Sequence, residues 1–161
     1  MTTLMATPRS ATALSTLPTA THELIAAARH SLTEALVATA AADRYAAAHL
    51  AALRAAAAVL AARGPARRRS RSRVRSVWLV LPEVAGELAE WSSFFAAGAR
   101  KRVLAEAGVP CVTAREADDL LRDAEAFLER VIAFLQMSHQ PMLPTGVQSA
   151  GHMAAGVRVT D

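Results

Sequence analysis

Arg44 and His49 are the pair whose types and spacing could share a chemical task (Arg-x4-His). An imidazole can pass a proton near neutral pH, and a guanidinium beside it can hold developing negative charge. Five positions on a regular helix turn about 140°, so the two side chains diverge unless the helix is distorted. His49 falls at the edge of an apolar stripe, where a packed, hydrogen-bonded imidazole is the competing reading.

The other chemistry-bearing residues are basic. Arg67, Arg68, Arg69, Arg71, Arg73 and Arg75 crowd into GPARRRSRSRVR, just after Arg63. Arg interspersed with Ser suits sequence-independent, salt-sensitive contact with phosphates, although no aromatic is interleaved for base stacking. The formal charge of +4 comes from this one segment, since without these seven Arg the chain is mildly acidic. Arg100, Lys101 and Arg102 form a smaller basic patch, read as solvent-facing. Asp118, Asp119 and Asp123 are read as the water-facing side of a helix.

No Glu-x-x-His pair and no Gly-rich phosphate loop is present, so neither metal nor cofactor is expected. Cys111 stands alone, which excludes an internal disulfide and fits a reducing, cytoplasmic setting. No run of membrane-spanning length and no signal peptide are read, so no membrane partner is expected.

Ala, Leu, Arg and Glu at helical spacing, with little β-branched alternation, predict an all-α fold. Residues 1–19 and 138–161 lack a period and read as disordered segments around a bundle over 20–137, with 64–75 as its basic loop. The first helix is expected over about 20–39, with Leu24, Ala28, Leu32 and Leu36 inward. The second runs from Asp43, its expected cap, to Arg63, with Ala46, Leu50, Leu53, Ala57 and Leu60 inward and Ala51 and Ala55 outward. Ser76 caps a third helical region that ends at Gly108, with a kink or offset start near Pro82. Its stripe is Val84, Leu88, Trp91, Phe95 and Ala99. Thr113-x-x-Glu116 is a capping box opening a fourth helix that buries Ala117, Leu120, Ala124, Leu128, Val131 and Leu135. The sum is a four-helix bundle.

Three stretches, RYAAAHLAALRAAAAVL (44–60), VWLVLPEVAGELAEWSSFFAAGARKRVLAEAG (77–108) and VTAREADDLLRDAEAFLE (112–129), resemble a small actinobacterial branch of the HEPN superfamily. The likeness spans roughly His22 to Leu135. It implies a four- or five-helix bundle, often dimeric, in a family many of whose members bind or cleave RNA. Active members use an Arg-x4-6-His motif for metal-independent cleavage, and Arg44 and His49 are the residues that match it. Two departures stand out. Tyr45 follows Arg44 where active members carry a polar residue, and the motif lies on the second helix rather than nearer the C-terminal half. The reading favoured is therefore a non-catalytic HEPN-like module acting through protein association, with a homodimer and RNA as the expected partners. The alternative is a metal-independent ribonuclease using Arg44 and His49, and a purely structural adaptor is a third.

Overall fold

The computed structural model describes residues 16–63 and 76–139. Arg67, Arg68, Arg69, Arg71, Arg73 and Arg75 lie outside the described residues, as do residues 1–15 and 140–161. Five α-helices follow one another: α1 (Thr19–Val37), α2 (Ala41–Ala62), α3 (Val77–Val84), α4 (Ala89–Glu106) and α5 (Ala114–Ser138). The fold is all-α, as its periodicity predicts, and no strand occurs among the described residues. The third helical region divides in two. Pro82 cannot donate within α3, and Gly86–Leu88 form a single 3-10 turn that swings the chain into α4.

α2 is the hub, packed against α1, α3, α4 and α5, and its pairing with α1 is the most extensive in the bundle. The reason is side-chain size, and it overturns the expected orientation. α2 buries Tyr45, Ala48, His49, Ala51, Ala52, Ala55, Ala56, Ala58 and Val59. Ala46, Leu50, Leu53, Ala57 and Leu60 are only half-buried. In α1 the buried residues are Thr21, Ala28, Ser31 and Ala35, while Leu24 and Leu32 are half-buried and Leu36 is exposed. Small side chains let two backbones approach, and the larger Leu side chains are left to the flanks. Arg54 fastens the pair, donating to the Ala27 carbonyl (3.1 Å) and to Ser31 Oγ (2.5 Å) on α1.

On the other side of α2 the packing is aromatic. Trp78 stacks on Phe95 (5.4 Å between ring centroids), and Phe95 and Trp91 meet Phe127 of α5 at 5.1 and 5.5 Å. Ser92 ties α4 to α3 by donating to the Trp78 carbonyl at 2.5 Å.

The ends of the helices match the sequence in part. Ser76 caps α3 by accepting from the Trp78 amide. At α5 the Thr113 hydroxyl accepts from the Glu116 amide, and the Glu116 carboxylate accepts from the Thr113 amide in return. Gly108 takes φ +76° just beyond α4, a left-handed conformation that favours glycine. Asp43 does not cap α2. That helix begins two residues earlier, after Ala40, and places Asp43 inside its first turn.

By length and composition α2 is apolar enough to cross a membrane, contrary to the expectation that no run is. Ala supplies that apolarity, and half of the most apolar window is buried among the other helices.

Candidate functional site

Arg44 and His49 leave α2 toward different neighbours. Arg44 is a clamp: one guanidinium nitrogen meets Asp118 Oδ1 of α5 at 2.5 Å, and another donates to the Ala38 carbonyl at 2.8 Å. It thereby ties the α1–α2 turn to α5.

His49 sits in the core with 1% of its surface exposed. Its ring meets Trp78 and Phe95 edge-on, each at 5.9 Å between centroids. Nε2 lies 2.8 Å from the Phe95 carbonyl, and a carbonyl only accepts, so the ring proton is on Nε2. Nδ1 is buried and has no hydrogen-bond partner among the described residues. Burial pushes the His49 pKa below its ordinary value, so the ring is neutral. The stripe-edge position expected from the sequence is corrected here to the centre of the core.

In the smaller basic patch Arg100 is exposed, as expected, while the other two residues are paired. Lys101 Nζ meets Glu116 at 2.6 Å, and Arg102 meets Glu106 at 3.1 Å one turn along α4. Arg63, at the end of α2, stands over the Phe134 ring at 5.3 Å. The Cys111 thiol is half-buried, 3.8 Å from the Lys101 carbonyl. Among the described residues no group of three or more His, Cys, Asp or Glu could hold a metal ion.

The structure brings together a set that no local motif announces. An open groove of about 400 Å³ runs between α4 and α5, lined by Tyr45, Phe94, Gly98, Lys101, Glu116, Asp119 and Asp123 among others. Three helices contribute to it, so residue spacing along one helix does not reveal it. Its floor depends on Gly98, where an added Cβ would fall 2.9 Å from Tyr45 Oη and 3.4 Å from His49 Cδ2. Burial raises the Tyr45 pKa. Hydrogen bonds from Lys101 and Thr113 lower the Glu116 pKa to about 2. Desolvation, then the Asp119 carboxylate, raise the Asp123 pKa.

A family model described as SAV_6107-like HEPN matches residues 35–132, more than half of the chain. The match takes in the end of α1, all of α2, α3 and α4, and most of α5. No curated protein matches, and no solved structure matches.

Proposed function

Because the chain belongs to the SAV_6107-like HEPN family, we propose that it works as a non-catalytic HEPN-like module, associating with proteins and contacting RNA through its basic segment. The observation that carries the non-catalytic part is His49. Its only proton is committed to the Phe95 carbonyl, and its free nitrogen is sealed in the core. Arg44, meanwhile, is held by Asp118 and by the Ala38 carbonyl. A general acid or base has to come within hydrogen-bond reach of the reacting atoms. Here Trp78 and Phe95 would both have to give way first. The cytoplasm is the setting that a lone cysteine fits best.

RNA incubated with purified protein and a metal chelator should remain intact. Cleavage that disappears in both Arg44→Ala and His49→Ala would reverse this reading and establish a ribonuclease, which the Arg-x4-His spacing itself favours. RNA contact is tested separately. Replacing Arg67, Arg68, Arg69, Arg71 and Arg73 with Ser should abolish retardation of mixed RNA in a gel and leave helicity unchanged, while the wild type loses affinity steeply between low and physiological salt. No retardation by the wild type at low salt would remove RNA from the proposal.

A further inference from the structure

The groove between α4 and α5 has a chemistry that the RNA reading does not use. Of its charged groups, Lys101 is occupied by Glu116 at 2.6 Å. The remaining pair, Asp119 and Asp123, stands one turn apart on the same face of α5 and lines the same groove. Like charges at that spacing cost stability. Asp119 is offset by Arg122 and, at 3.9 Å, by Arg115, both on exposed side chains. Asp123 has no hydrogen bond or ion pair among the described residues. Tyr45 gives the second, independent observation. It is 94% buried (6% exposed), it lines the groove, and its hydroxyl has no hydrogen-bond partner among the described residues. Phe94 leaves 46% of its surface uncovered on the opposite wall.

We propose that this groove is a guanidinium-binding site, taking an arginine side chain or a small guanidinium compound between Asp123, the Tyr45 hydroxyl and the Phe94 ring. A guanidinium is planar, stacks on an aromatic face, and offers several N–H groups to acceptors in different directions. The carboxylate and the phenol oxygen accept those N–H groups, and the ring covers the face. An ammonium ion lacks the plane. A phosphate is repelled by the two carboxylates, so the groove is not an extension of an RNA surface. Its volume lies within the range of about 300–1,000 Å³ usual for small-ligand sites. A bound cation would also offset the repulsion between Asp119 and Asp123.

The test uses the full chain, labelled for amide NMR and titrated with acetyl-Gly-Arg-Gly-amide, acetyl-Gly-Lys-Gly-amide and free arginine. The Arg peptide should give saturable shifts confined to amides around residues 94–101 and 116–123. The Lys peptide should bind several-fold more weakly. Asp123→Asn should weaken the Arg peptide by about tenfold, because the amide oxygen still accepts but the carboxylate charge is gone, and should raise the Tm of the free protein by relieving repulsion. Tyr45→Phe should cost roughly three- to tenfold through one hydrogen bond donated by the charged guanidinium, with the helical signal kept. If free arginine binds more tightly than the blocked peptide, the site takes a small molecule; the reverse order assigns it to a protein segment, and both orders support a guanidinium site. Absence of saturation, equal binding of the Lys peptide, or unchanged affinity in Asp123→Asn would overturn the proposal.

Discussion

His49 gives its ring proton to the Phe95 carbonyl and stands nearly perpendicular to two aromatic rings. It is a packing residue by every contact it makes. His49→Ala should therefore cost about 2–4 kcal/mol, lowering the Tm by roughly 6–12 °C, as loss of a large buried side chain does. Its titration has a definite sign. The folded pKa lies below the ordinary 6.5, so the unfolded chain takes up the proton first as pH falls. The stability it contributes is whole above about pH 6.5 and declines as pH drops from there through the folded pKa. His49→Leu, which fills similar space without titrating, should lose less Tm than the wild type between pH 7 and pH 5. Parallel slopes in thermal melts would show that some other group sets the acid response.

Gly98 offers a sharper test at the same scale. Replacing a mid-helix Gly with Ala ordinarily gains about 0.5–1 kcal/mol. Here the new methyl meets Tyr45 Oη at 2.9 Å, so Gly98→Ala should instead destabilise by about 1–2 kcal/mol. Tyr45→Phe removes the blocking atom, and in that background the same change should be neutral or stabilising. Additive effects in the double-mutant cycle would mean that the contact does not limit the approach of α2 and α4.

At the scale of the element, α5 is the helix whose start is most strongly specified. Thr113→Ala removes one half of the capping box and should cost about 1 kcal/mol, read by chemical denaturation. Glu116 belongs both to this box and to the Lys101 pair, and these contacts hold its folded pKa at about 2 against 4.5. Its contribution is present above about pH 4.5 and is lost as pH falls from there toward 2. Glu116→Gln should thus flatten the acid limb of stability below pH 4.5 and leave the His49 window untouched.

Helix α5 also shows when a sequence discloses its own packing. Ala117, Leu120, Ala124, Leu128, Val131 and Leu135 are expected inside and are all buried, because charged residues leave only one apolar face. α1 and α2 lack that contrast. Ala makes nearly every face of α2 apolar, so the Leu positions stand out by size and suggest the core. The bundle instead brings small faces together, and this choice is made between helices, where spacing along one helix carries no signal. The same limit hides the groove, whose walls come from α2, α4 and α5. The break between α3 and α4 is legible as a kink near Pro82, but the full turn through Gly86 is not.

For the whole molecule, the outward placement of large apolar side chains bears on association. Leu36 and Val37 at the end of α1 are 62% and 74% exposed, and Leu79, Val103 and Met137 are likewise uncovered. This fits the homodimer expected from the family resemblance. Light scattering after size-exclusion chromatography should give about twice the chain mass of 17.0 kDa. A single-chain mass at tens of micromolar would count against pairing.

The small-residue seam between α1 and α2 also matters while the chain is being made. At roughly 5–20 residues per second, α3 follows α2 by a few seconds at most and α5 comes later still, so α2 first has α1 alone for cover. During that interval it meets the length and apolarity of a membrane span, and a targeting factor scanning nascent chains would meet it in that form. Arg54 is the one charged residue in its C-terminal half, and it already reaches Ala27 and Ser31 of α1. The side chain that locks the seam is thus also the one that interrupts the uncharged run. Arg54→Leu would remove both safeguards at once and divert part of the newly made protein to the membrane fraction.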